Sequence, residues 1–153
     1  MANAIEDDLK KHHQRQSILC DKLEALADRL PNQVDPQNCL TLARTIFPIV
    51  RQAHQFEETR LFPLLQNAAT SADDLTQSLE RLRFEHWEDE SFAEELSDSL
   101  LEFGSGRGDG EKLAYMLRGF FEGLRRHMAF ETEHLLPLLK GDLTAGSAFA
   151  GTA

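Results

Sequence analysis

An all-α fold, an up-down-up-down antiparallel four-helix bundle, is what this sequence predicts. Three observations predict it: apolar residues recur with helical spacing in four segments, stretches rich in Pro, Gly, Asn, Asp and Ser separate those segments, and the connections are short. At 153 residues and 41% hydrophobic, the chain can bury one sizeable core and is too short for two. The bundle is expected over residues 1–140. A mobile tail is expected over 141–153, where DLTAGSAFAGTA carries no periodic pattern.

The first helix is expected from about Ala4 to Leu30, because Leu9, Leu19, Leu23, Leu26 and Leu30 stack on one face. PNQVDPQN breaks it. The second starts near Asp35, with Pro36 suited to its first turn, and carries Leu40, Ala43, Phe47, Val50, His54, Glu58 and Leu61 down one stripe. Pro48 falls inside and should kink that helix unless a local bulge absorbs the missing hydrogen bond. The third begins at Ser71 or Ala72, where Asp73 and Asp74 favour the first-turn dipole, and runs to about Phe103. GSGRGDG is a loop. The fourth carries Leu113, Met116, Leu117, Phe120, Phe121, Leu124, His127, Glu131 and Leu138 towards Lys140, and Gly141 ends it.

Lys and Arg number 16 against 26 Asp and Glu, a formal charge of −10 that repels nucleic-acid phosphates and anionic head groups. Nucleic acid and membrane are therefore set aside as partners. The N-terminal MANAIEDDLKKHH lacks the apolar stretch of a secretory signal, and no run approaches a bilayer-spanning length, so a soluble cytoplasmic protein is expected. Cys20 and Cys39 have neither disulfide-framework nor zinc-site spacing and read as small buried apolar residues.

The chemistry lies in histidines and glutamates. His54 and Glu58 are four apart on the second helix, as are His127 and Glu131 on the fourth, so each pair projects from one face. A single pair of this kind is usually a weak surface contact. Both pairs, however, sit within apolar stripes, where a charged glutamate costs several kcal/mol unless neutralised, paired or bound to a cation. The spacing also repeats. His13 precedes His54 by 41 residues and His86 precedes His127 by 41, with Leu9, Leu19, Cys20 and Leu23 around His13 matched by Leu82, Phe92, Ala93 and Leu96 around His86. A duplicated helical hairpin would bring all four helices' ligands to one level.

Four imidazoles and two carboxylates suit a dinuclear centre in which both glutamates bridge. The expected metal ligands are His13, His54, Glu58, His86, His127 and Glu131. Their mixed donors favour two iron ions, with manganese second, over calcium or structural zinc. The order His13, His54-x-x-x-Glu58, His86, His127-x-x-x-Glu131, with HQFEETRLFPLL and HMAFETEHLLPLL, resembles the hemerythrin-like HHE cation-binding domain over about residues 4 to 140. The resemblance implies a non-haem di-iron site that binds or reacts with dioxygen, nitric oxide or peroxide, or that senses or handles iron. Oxygen-carrying hemerythrins have a second histidine four after the third-helix histidine and an aspartate as the last bridge. Glu90 and Glu131 stand in their place, which weakens the match to reversible oxygen carriage.

Several neighbours compete for roles. Pro63 lies nine after His54 but Pro137 ten after His127, which makes Glu57 a rival to Glu58; His12 rivals His13. Glu90 reads as surface charge in an acidic stretch, and His134 as a neighbour of the ligand stripe rather than a seventh ligand. Phe56, Phe84, Trp87 and Phe130 adjoin ligands and either wall a gas-accessible pocket or pack the core. Three functions follow: a binder or sensor of a small gaseous or peroxide ligand, a di-iron enzyme turning over peroxide or nitric oxide or oxidising ferrous iron, and a metal-free interaction module. No general acid or second cofactor motif marks the enzyme. A sensor would need a separate protein partner, since no output domain is attached.

Overall fold

The computed structural model describes residues 2–68 and 72–141. Four long helices form an all-α antiparallel bundle: α1 Ala2–Arg29, α2 Pro36–Phe56, α4 Ala72–Gly104 and α5 Gly110–Phe130. The second and fourth are extended by a π-helical turn and a short helix. Glu57–Leu61 leads into α3, Phe62–Ala68, and Glu131–Leu135 leads into α6, Leu136–Leu139. Around the bundle the order is α1, α2, α4, α5, with α5 closing against α1. Ser71 and the expected tail after Gly141 lie outside the described residues.

Local chemistry sets the helix ends. Asp35 and Asp109 are extended N-caps whose carboxylates accept hydrogen bonds from the backbone N–H of Gln37 at 3.0 Å and of Glu111 at 2.9 Å. Gly141 adopts φ +85°, the left-handed conformation that ends a helix. Pro48 does not interrupt α2. Arg44, whose carbonyl loses its helical donor there, and Pro48 are both exposed, which leaves that carbonyl on the side where water can reach it. The bulges fall instead at the other two helical prolines, Pro63 and Pro137. In each case the glutamate six residues earlier begins the π turn, and its carbonyl accepts the N–H five residues on, Glu57 from Phe62 and Glu131 from Leu136. A wider turn relieves the clash between a proline ring and the preceding turn.

The core is divided in two. One apolar cluster gathers Leu19, Leu23, Leu26, Cys39, Ile46, Val50, Ala93, Leu96, Leu100, Leu117, Phe121 and Leu124. The other gathers Ile5, Leu9, Leu61, Phe62, Leu65, Leu79, Leu82, Leu135 and Leu138. Each long helix passes from one cluster to the other at its histidine, so a polar layer lies between two close-packed hydrocarbon blocks. Cys20 and Cys39 are buried free thiols in or beside the first block. Among the described residues no helix is long and apolar enough to cross a membrane.

Gly110 is a tight point of the scaffold, because a Cβ there would meet Pro31 Cβ at 2.6 Å and Phe103 at 3.2 Å. Gly119, also on α5, has room: a Cβ would touch Phe92 at an ordinary 3.7 Å. Gly110→Ala is expected to lower the unfolding free energy by ~1–3 kcal/mol through overpacking. Gly119→Ala should raise it by up to ~1 kcal/mol through helix propensity. Urea unfolding of both variants checks the pair, and a silent Gly110→Ala would show that the α1–α2 connection yields freely.

Candidate metal centre

Three helices and two π turns supply the inner side chains of the polar layer. His54 comes near the end of α2, His86 from the middle of α4 and His127 near the end of α5, while the two π turns start at Glu57 and Glu131. Widening the helix at those glutamates turns both carboxylates inward. Glu131 is 0% exposed and Glu57 1%. Ligand atoms of Glu57, His86, His127 and Glu131 all lie within 4.8 Å of one another.

The six residues expected from the sequence are distributed unequally. His86, His127 and Glu131 enter the compact cluster. His54 flanks it, its ring stacked on His86 with centroids 3.8 Å apart and planes 9° apart. His13 reaches it through Glu131, with Nε2 at 2.8 Å from Oε1. Glu58 stands one step outside, a third exposed, and its Oε2 accepts from His86 Nδ1 at 2.9 Å. Glu57 occupies the inner carboxylate position, with Oε1 at 2.9 Å from His86 Nε2 and 3.8 Å from His127 Nε2.

Two carboxylates clamp two imidazoles from outside. Glu90 accepts from His54 Nδ1 at 2.8 Å and is itself held by Arg51 at 2.8 Å, so it is a positioning group rather than a solvated surface charge. Glu58 does the same for His86. An imidazole whose Nδ1–H is committed to a carboxylate presents the Nε2 lone pair on its other side, the arrangement of a metal-ligating histidine. The inner atoms lack hydrogen bonds. His54 Nε2, Glu57 Oε1, His86 Nε2, His127 Nε2 and Glu131 Oε2 are all buried without a hydrogen-bond partner. His86 Nε2 and Glu57 Oε1 are close enough for an ion pair, yet their angles do not make a hydrogen bond.

Protonation follows from burial and charge. Burial pushes His54 down to about 3, and the charge of His86 adds to this, so His54 is neutral. Burial also opposes the charged form of His127, but the Glu131 carboxylate outweighs it and holds the ring well above the ordinary range. Glu131 lies well below the usual carboxylate range despite its burial, chiefly because of His127. Burial likewise opposes charging of His86, which is raised by Glu57 and Glu58. Ion-pair partners of Glu57 and Glu131 are imidazoles throughout. Two neighbouring buried carboxylates with orphaned oxygens, facing imidazoles with orphaned nitrogens, form a donor set that fits cations.

These residues match the Hemerythrin HHE cation binding domain over residues 4–139. The chain belongs to the hemerythrin HHE cation-binding family. Comparisons with curated proteins and with solved structures returned no match. Other residues singled out from the HHE sequence lie apart from the cluster. His12 stacks on Phe56 at 5.0 Å, and His134 tilts against Phe130 at 4.7 Å. Phe84 and Trp87 are exposed and stack on each other at 5.9 Å, so they do not wall an inner pocket.

Removing Glu90 would leave the buried Nδ1 of His54 without its partner, while Arg51, 47% exposed, would return to water. Glu90→Ala is expected to destabilise the metal-free protein by ~1–3 kcal/mol, the cost of unsatisfied polar groups. Glu133→Ala, at a side chain 78% exposed, should change stability by less than ~0.5 kcal/mol. Chemical denaturation in chelator compares them; equal, near-zero effects would show that Glu90 holds nothing.

Proposed function

We propose that this HHE domain holds two iron ions in its polar layer and binds a small ligand there, dioxygen, nitric oxide or peroxide, in sensing, storage, detoxification or iron handling. The observation that carries this reading is the meeting of four ligand residues within 4.8 Å, in a layer where five buried nitrogen and oxygen atoms have no hydrogen-bond partner. Each such group left uncompensated costs ~1–3 kcal/mol, and charged ones cost more. Cations offset all five at once.

In this reading the ligands are His13, His54, Glu57, His86, His127 and Glu131, while Glu58 and Glu90 orient His86 and His54. Geometry favours Glu57 over Glu58 because its carboxylate is inside the cluster. Imidazole and carboxylate donors without thiolates suit iron, with manganese second. Bound metal would supply Lewis-acid and redox chemistry. The chain's own contribution is to keep His54 neutral, to aim the Nε2 atoms inward, and to exclude water above and below the layer with two hydrocarbon clusters. A reducing cytoplasm suits the two buried thiols. The acidic surface disfavours nucleic acid and anionic membrane as partners.

Protein expressed with iron is expected to carry about two irons per chain and to gain charge-transfer absorption when anaerobic samples meet air. Absence of both metal and absorption would sink the proposal. Glu57→Ala and Glu131→Ala should lower metal content and melting temperature together, because binding free energy is folding free energy. Glu58→Ala should cost ~10–100-fold in affinity while retaining the site. Reaction that stops at one equivalent of peroxide or nitric oxide supports binding; continued consumption would make the protein an enzyme.

A further inference from the structure

A groove of about 710 Å³ runs along the seam between α4 and α5 and has His127 in its wall. Its lining mixes apolar surface from Leu82 and Phe130 with charged groups: Asp74, Glu85, Glu88 and Asp89 stand against Arg81 and Arg126, and Arg81 pairs with Glu85 at 3.4 Å. The three cluster-facing imidazoles differ in how they are held. His54 and His86 are 1% exposed, and their outer nitrogens are clamped by carboxylates at 2.8 and 2.9 Å. His127 is 7% exposed, and its Nδ1 is 4.0 Å from the nearest carboxylate, Glu85 at the groove. Its other nitrogen, buried and without a hydrogen-bond partner, belongs to the cluster. One ring thus separates the groove from the centre.

On the α1 side His13 is 15% exposed, but its Nε2 is held at 2.8 Å by Glu131, and the remaining approaches are less suited to a charged species. Along the bundle axis the layer is covered by apolar clusters on both sides, where a hydrated cation has no partners. Across the α2–α4 seam the clamped His54–Glu90 and His86–Glu58 pairs close the way.

We propose that the α4–α5 groove is the route by which a divalent cation enters and leaves the centre, with His127 at its inner end and Glu85, Glu88 and Asp89 as its carboxylate lining. This rests on the metal-centre reading above. Acidic walls in a concave, low-dielectric surface concentrate cations and raise their association rate.

Gly123 lines the groove one helical turn before His127, and a Cβ there meets nothing closer than the end of Arg126 at 3.8 Å, so the backbone accepts a side chain and Gly123→Leu would fill the passage beside His127. The probe is cobalt(II) added to metal-free protein in a stopped-flow instrument, read by its ligand-field absorption, with release measured by chelator. In Gly123→Leu, loading and release should both slow by at least ~10-fold with final absorbance unchanged, since a plugged route alters rates and not equilibrium. In Asp74→Asn/Glu88→Gln, loading should slow several-fold at low salt, and the difference should shrink at high salt. Wild-type rates in both variants, or a reduced final absorbance in a folded Gly123→Leu, would overturn the route while leaving the centre intact. Failure of the wild-type protein to take up cobalt or iron would overturn the centre itself, and the route with it.

Discussion

Glu57 and Glu131 are carried by different helices, yet their carboxylates meet in a layer closed to water on both faces by hydrocarbon. Two carboxylates at that separation in a medium of low polarity would repel strongly if both were charged, so the pair needs protons or cations close by. Much of the bundle's arrangement answers this juxtaposition. Imidazoles from three other positions converge on the pair, His127 is driven towards its protonated form, and Glu131 is kept ionised by that neighbour. Imidazole pairing relieves the charge only partly, because the inner atoms are close without making hydrogen bonds. A donor set so incompletely satisfied is a poor way to stabilise a core and a good way to hold a cation.

Orientation is secured by reciprocity between neighbouring helices. The histidine of α2 is held by a glutamate of α4, and the histidine of α4 by a glutamate of the turn that follows α2. Each clamp fixes a tautomer by committing Nδ1–H outward, so Nε2 faces the layer. Since the two rings also stack, a shift of either helix would disturb both clamps together. His127 has no such short clamp. The unequal treatment of chemically identical side chains separates the parts of the layer that are fixed from the part that can exchange.

Much of this was legible in the sequence. Apolar spacing located the four helices, and the N-cap aspartate, the glycine loop and the terminal glycine located ends. Histidines at matched separations identified the level of the layer, and the buried stripe identified glutamates as the groups needing compensation. The carboxylate on α2 depended on which landmark aligned the halves. His13 to His86 and His54 to His127 are each 73 apart, which pairs Glu131 with Glu58. Asp35 to Asp109 and Pro63 to Pro137 are each 74 apart, which pairs Glu131 with Glu57. Structure follows the capping aspartates and prolines, because the cap starts the helical phase and the proline places the π turn. Helical phase carried the same signal: Cys39, Leu42, Ile46, Val50 and Ala53 form the buried stripe that leads to Glu57, whereas Leu40 and Phe47 are only half-buried. Pro48 stays inside a continuous α2, where a proline on the solvent face of a helix costs less because water can serve the carbonyl it strands.

The same one-residue slip makes the two halves of the layer inequivalent. By the cap and proline alignment, the partner of His127 in the first half is Ala53, and His54 is rotated about a quarter-turn further round the helix. That rotation takes His54 out of the compact cluster and lays it on the face of His86, with Glu90 as its outer partner. His13 meanwhile approaches through Glu131 rather than through the glutamate of its own hairpin. The matched halves supply similar helical scaffolds, but the residues as placed divide into a tight group of two imidazoles and two carboxylates and a looser flank of two imidazoles. Glu57 and Glu131 would hold a cation together with His86 and His127, and His127 is the member of that group that also borders the α4–α5 groove, so the asymmetry that sets the tight group apart also gives it a side towards the exterior.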